Sequence, residues 1–350
     1  MTGFKGEKMR PRLNTALLTG LLLVMLTASP GAAQDVTVVR RAAFDIGAAV
    51  IKCIIADVDV STGLIVNTVD SLSEKVDFAE DLSRSYDGNL SKGVMDQGIN
   101  ILERFKAVAV AKNALEYSAV GGRLFQKAQN GRAYFVRIRQ ETGIPSRVIS
   151  EQQAAMLSFH AVRHALAGKA GDLLVWDIGG NSMQMTIRKP DGGLLFYLDP
   201  MAAVAFKNVV IQTIQKKDIN ITVSPNPVSV GEVSQARAHI QAHAAMTVPR
   251  YICNKLANQE LTVAGIGGVH YYSVPEVIGN RKATYTRDEV ATALNKWTGK
   301  TDKDFNSEYA ESRLTNLILV LGYMDALGIR EVRPLKINQA DGLLAAREFW

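Results

Sequence analysis

The chain has 350 residues, of which 47% are hydrophobic and 21% charged, and a formal net charge of +6. With a mean hydropathy of +0.03, that composition excludes a disordered tail and a multi-span membrane protein. Two cysteines exclude a disulfide scaffold, and the basic excess forms no tract of the kind that nucleic acid demands.

In chain order, residues 1–33 stand apart. Lys5, Lys8, Arg10 and Arg12 precede an uncharged apolar stretch from Ala16 to Ala28, and Gly31, Ala32 and Ala33 follow. Positive, apolar and small segments in that order predict a secretory signal cleaved after Ala33. The apolar stretch is short for a membrane span. The long polar lead-in keeps an uncleaved anchor as the competing reading, so the protein is expected to be exported and either periplasmic or membrane-anchored. Without the leader's four bases and Glu7 the body keeps a charge of only about +3, and any polyanion must be gripped by local geometry.

From Val36 the sequence reads VTVVRRAAFD, IGAA, VIKCIIADVD, an STG turn and LIVNTVD, followed by helical periodicity in GVMDQGINILERFKAVAVAKN. Glycines at 168–172 (GKAGD) then break the chain. From Asp172 the pattern returns as DLLVWD, IGGN, SMQMTIRK, a PDGG turn and LLFYLD, with helical sequence in AAVAFKNVVIQTIQKKD. Asp45 and Asp177 hold matching places in the two units, 132 positions apart. A third glycine turn, AGIGGVH, follows strand-like ELTV; RLTNLILVLGYMDALGI predicts a buried helix and INQADGLLAAREFW a closing one. The expected organisation is a signal over 1–33, a first α/β domain over 34–170 with the first loop, and a second α/β domain over 171–350 with the other two. Cys53 falls in a strand and Cys253 in a helix, and both are expected to be separate buried thiols rather than a bridge.

A glycine turn between strands lets backbone N–H groups approach a phosphate, because no Cβ intervenes. Two such turns facing each other would grip a phosphate chain. An aspartate leading each turn would repel that phosphate unless a divalent cation lay between, so Asp45 and Asp177 are the candidate ligands for Mg²⁺ or a related ion. His160 and His164, like His239 and His243, have i, i+4 spacing, but neither pair has the intervening glutamate of a zincin helix, and helix-surface or interdomain positions are expected.

These segments resemble the Ppx/GppA family of exopolyphosphatases and guanosine pentaphosphate phosphohydrolases, within the actin and sugar-kinase superfamily. DIGAAVIK is similar to the family's first phosphate loop DIGSNSxR, and DIGGNSMQ to its second, DIGGGSTE. SLSEKVDFAEDL resembles the stretch after the first strands, GGRLFQKAQN the ATxALRxAxN segment, and ETGIPSRVISEQQAAML the ETGxxVxVISGxEEARL segment. The resemblance implies two ribonuclease-H-like domains flanking a cleft, and hydrolysis of phosphoanhydrides in polyphosphate or another phosphorylated anion. It implies phosphate contacts at Gly47, Lys52, Gly179, Gly180, Asn181, Ser182, Gly267 and Gly268. A homodimer is compatible with it.

The family's catalytic positions map onto altered residues. Gln153 and Ala154 stand where the family has glutamates that include the water activator, and Gln184 stands where a glutamate closes the second loop. Gln126 replaces a phosphate-binding arginine, and Ala48 and Ala49 replace Ser and Asn of the first loop. Glutamine orients a water but takes no proton, and a lost general base costs about 10²- to 10⁴-fold in rate. The expectation is a phosphatase-like protein with weakened or lost turnover; a non-catalytic anion-binding or interaction scaffold is the alternative.

Overall fold

The computed structural model describes residues 2–3, 37–166, 172–258, 261–279 and 282–350. The leader read over 1–33 and the glycine break at 168–172 lie almost wholly outside them.

The first half builds β1 (Val38–Ile46), β2 (Val50–Asp59), β3 (Leu64–Lys75), α1 (Phe78–Ser83), α2 (Lys92–Ala111), β4 (Glu116–Gly121), α3 (Arg123–Lys127), α4 (Gly131–Thr142), β5 (Ser146–Val148) and α5 (Glu151–Ala165). The second builds β6 (Asp172–Ile178), β7 (Met183–Arg188), β8 (Leu194–Asp199) and α6 (Ala203–Val209), which runs into a π-helical turn. There follow α7 (Val230–Thr247), α8 (Arg250–Ala257), β9 (Leu261–Ile266), α9 (Val274–Ile278), β10 (Tyr285–Thr286), α10 (Arg287–Trp297), α11 (Asp302–Phe305), α12 (Ala310–Leu327), β11 (Glu331–Pro334) and α13 (Gln339–Ala345).

The two halves share one topology. The first sheet is ordered β3-β2-β1-β4-β5, and the second β10-β11-β9-β6-β7-β8. In each, the first three strands run antiparallel, and the first strand also pairs in parallel with a strand that arrives after helical sequence. The echo read from the sequence is therefore a repeat of the strand order itself. The structure lengthens LIVNTVD into β3 as far as Lys75. SLSEK extends the strand despite its polarity because β3 is a sheet edge with one face in water, and its residues alternate in burial accordingly.

Alternation along β1 and β2 sends two sets of side chains to opposite faces. On the outer face Phe44, Ile46, Cys53 and Ile55 pack under α2 and α4 through Ile101, Leu102, Tyr134 and Ile138. On the inner face Ala43, Ile54, Ala56 and Val58 meet Leu343 and Leu344 of α13, with Ala154 and Leu157 of α5. The second sheet divides likewise. Leu174, Trp176 and Ile178 face α12, while Leu173, Val175, Ala264 and Ile266 face Phe159 and Val162 of α5 and Leu166 just after it. The helix predicted from RLTNLILVLGYMDALGI is α12; Leu314, Leu317, Ile318, Leu319, Val320 and Leu321 are fully buried, as an all-round apolar helix requires.

One consequence fixes the site. The α5 and α13 helices pack on each other between the sheets, α5 against the second and α13 against the first. The chain's last helix thus returns to the first sheet, and Val36–Trp350 forms one compact unit. Both cysteines are free, and Cys253 is only half-buried because it lies at the edge of its core. Cys53 is fully buried, and burial, aided by the nearby Asp70 charge, pushes its thiol up to about 12.

Candidate functional site

The two acid-led turns are the same hairpin built twice. Gly47 N–H donates to the Val50 carbonyl at 3.0 Å, and Gly179 N–H to the Ser182 carbonyl at 3.0 Å. A Cβ at Gly47 would stand 2.7 Å from the Val50 oxygen, so only glycine fits there. Each hairpin is braced by the segment after its third strand. Ala79 N–H donates to the Ala48 carbonyl at 2.9 Å, and Val204 N–H to the Gly180 carbonyl at 2.9 Å. Beside Gly180 and Gly268, space is open: an added Cβ would meet one methyl at 3.8 Å at the first and nothing within 4 Å at the second.

The third glycine loop locks onto the second. Gly267 has φ +83°, and a Cβ there would lie 2.4 Å from the Ile178 carbonyl oxygen and 2.6 Å from Asp177 Oδ1. All three turns gather at the ends of β1, β6 and β9, where an α/β sheet opens its crevice.

Asp45 sits opposite Lys52 in the β1–β2 ladder, and Asp177 sits opposite Gln184 in the β6–β7 ladder. Direct cross-strand partners share a face with Cβ atoms about 5 Å apart. Asp45 is 9% exposed, and burial raises its pKa against the pull of Lys52. Burial pushes Asp177 up to about 6; Asp45 adds to the rise, while Lys52 and the Ser158 hydroxyl of α5, 3.5 Å from Oδ2, oppose it. The acids that lead the two hairpins therefore feel each other across the gap between the sheets.

A third acid joins them. Asp341, in the first turn of α13, is pushed up to about 6 by burial, opposed by the hydrogen bond its carboxylate accepts from Asn338 N–H at 2.8 Å and by Lys52, and further raised by Asp45. Asp45 and Lys52 of the first hairpin thus act electrostatically both on Asp177 and on Asp341. Sequence reasoning found the helix that carries Asp341 and missed the residue. Its only local signal is the Asn338-x-x-Asp341 capping box, which reads as helix punctuation.

The altered positions have their own roles. Gln153 Oε1 accepts from Ser150 N–H at 2.9 Å, completing an exposed capping box that starts α5. Ala154 is 2% exposed and belongs to the inner core. Gln126 Nε2 donates to the Ile149 carbonyl. Gln184 is 4% exposed, and its side-chain oxygen is buried with no hydrogen-bond partner. Glu151 is held by Arg123, whose Nη1 donates to both carboxylate oxygens at 2.9 and 3.1 Å. Asn181 and Ser182 are half-buried on the second hairpin.

Among the described residues no three His, Cys, Asp or Glu gather as a metal cage. Asp45 and Asp177 nonetheless suit Mg²⁺, which binds through one or two carboxylates and fills its shell with phosphate and water. Burial raises both pKa values against the pull of Lys52, a cost that a bound cation would offset. His243 is no ligand of this centre; its Nε2 lies 2.8 Å from Asp199 Oδ2.

A 3-2-1-4 strand order in both sheets, with acid-led hairpins over a shared helical layer, defines the class: two ribonuclease-H-like domains of the actin and sugar-kinase type. The model of the Ppx/GppA phosphatase family matches residues 54–210. Exopolyphosphatase 1 of Mycobacterium bovis is 28% identical over 99 residues, which cover 28% of this chain and 29% of that protein. Exopolyphosphatase 1 of Mycobacterium leprae matches to the same extent, 28% identical over 28% of this chain and 29% of its own. The match therefore spans under a third of the length of these curated relatives. In fold the likeness runs much further. The crystal structure of the Aquifex aeolicus Ppx/GppA family member superposes with a TM-score of 0.69 at 16% identity, covering 88% of this chain and 97% of that one. An exopolyphosphatase from Cytophaga hutchinsonii gives 0.67 at 15% identity, covering 87% and 96%. The chain thus matches the Ppx/GppA phosphatase family over residues 54–210 and shares the fold of that family's solved structures.

Proposed function

We propose that this cleft binds the end of an inorganic polyphosphate or a guanosine polyphosphate and hydrolyses the terminal phosphoanhydride slowly. The carrying observation is the pair of matching acid-led glycine hairpins, with Asp45 and Lys52 of the first acting electrostatically on Asp177 of the second and on Asp341. The open backbones at Gly180 and Gly268 accommodate phosphate oxygens, and Lys52 supplies a fixed positive charge beside them. A divalent cation held by Asp45 and Asp177 would neutralise the charge between acids and phosphate and polarise the scissile group. With those two engaged, Asp341 is the carboxylate left to accept the attacking water's proton, and at about 6 its pKa suits a base working near neutral pH.

Slowness follows from residue identity. Gln153 and Gln126 spend their amides on backbone groups, and neither replaces a glutamate or an arginine at the transition state. The same facts favour a second reading, a cleft that binds without turnover. Phosphate release from polyphosphate with Mg²⁺, followed for the wild type, Asp177→Ala and Asp341→Asn, separates the two. Release by the wild type, lost in Asp177→Ala and reduced at least 10-fold in Asp341→Asn, supports hydrolysis. Equal traces for all three, with calorimetric binding of polyphosphate intact, leave only the binding role.

Export belongs to the same proposal and is supported by the positive, apolar and small order of residues 1–33. Fusing that segment to a reporter active only outside the cytoplasm tests it; a silent reporter contradicts it.

A further inference from the structure

Away from the cleft, the α5–α13 layer borders a half-open pocket of about 760 Å³. Its walls come from the C-terminal half of α5, the β2–β3 turn at Thr62–Leu64, the start of β6, the end of β7 and the segment after α13. None of the residues that form the acid centre lines it.

Its chemistry is two-sided. Arg163, Arg188 and Arg347 line it, and none forms an ion pair or side-chain hydrogen bond with any described residue. His160 and His164 add two imidazoles, and His164 Nε2 is buried with no partner, a polar atom left unsatisfied at the wall. The facing acids are few: Asp172 is already paired with Lys255 at 2.7 Å, which leaves Glu348. Met156, Leu157, Phe159, Leu166 and Leu173 supply an apolar lining. A volume in the range of small-ligand pockets, an apolar floor and unmatched guanidinium groups are the ingredients of an anion site with an organic half.

We propose that this cavity is a second binding site, separate from the cleft, for a small phosphorylated organic molecule, its phosphate on Arg163, Arg188 and Arg347 and its apolar part against Phe159 and Met156. The two charges of a phosphate answer the surplus of guanidinium over carboxylate, and the apolar lining distinguishes an organic phosphate from a bare inorganic one.

Calorimetry on the full chain, with adenosine monophosphate and inorganic pyrophosphate as probes, tests it in three proteins: wild type, Arg163→Gln/Arg188→Gln, and the cleft variant Lys52→Ala. The expected result is adenosine monophosphate binding that is equal in wild type and Lys52→Ala and at least 10-fold weaker in the double variant. Thermal melts verify that the exposed double substitution leaves the fold intact, and Arg347→Gln serves as a second variant. Loss of binding in Lys52→Ala alone would place the ligand in the cleft and overturn the proposal. So would absence of binding, or insensitivity to the arginines. Pyrophosphate bound as tightly as the nucleotide, with the same arginine dependence, would overturn the organic half. Failure here leaves polyphosphate hydrolysis in the cleft untouched, because that is read by phosphate release and Asp177.

Discussion

At Asp177 function and stability pull in opposite directions. Its folded pKa, about 6, lies above the unfolded value of 3.8, so the folded state holds a proton more tightly than the unfolded one. The proton-linked contribution is present at low pH and is lost as pH rises through 6. A tenfold difference in proton affinity between the two states is worth about 1.4 kcal/mol, and partial exposure reduces the total at this half-buried site. Asp177→Asn is therefore expected to raise stability by about 1–2 kcal/mol at pH 7.5 and by almost nothing at pH 4, while abolishing phosphate release. Urea unfolding at both pH values checks this, and a variant less stable than the wild type at pH 7.5 contradicts it. Mg²⁺ should raise the melting temperature of the wild type more than that of the variant. The place of Asp177 at the head of a hairpin was legible in the sequence because the turn that follows it is local. Asp341 was not, because its position depends on a helix returning across nearly the whole chain. For Gln153 the sequence announces the chemical change, but only the structure shows the amide turned back to cap its own helix.

Among the elements, the α5–α13 pair carries the site. Ser158 of α5 approaches Asp177, Asp341 starts α13, and both sheets rest on this pair. The contact is close enough that a Cβ on Gly342 would lie 2.3 Å from the Leu157 carbonyl oxygen. Gly342→Ala must push the helices apart, at a cost of about 1–3 kcal/mol for overpacking. Because Asp341 is the neighbouring residue, the same substitution should lower phosphate release further than its loss of stability alone explains. Urea midpoints and release rates measured together decide it, and an unchanged midpoint would show that the two helices yield freely. Sequence reading located α13 as the closing helix. It carried no information about which sheet each helix of the pair would cover, because apolar stripes on both are equally suited to either.

For the whole molecule, duplication was the most legible feature. Strand, turn, strand, turn, strand recurs in the sequence, and the structure returns the same order for the first four strands, with the same hairpin bond, in each half. What the repeat leaves unstated is how the halves are joined, and here the closing helix does it by packing on the sheet built first. If the two hairpins act on one phosphate group, the acids that lead them must be energetically coupled. A double-mutant cycle in the calorimetric binding of pyrophosphate with Mg²⁺, using Asp45→Asn, Asp177→Asn and both together, reads that coupling. The expected interaction energy between the two acids is about 0.5–3 kcal/mol. Strictly additive effects would mean that each hairpin binds on its own, and the shared phosphate site would have to be abandoned.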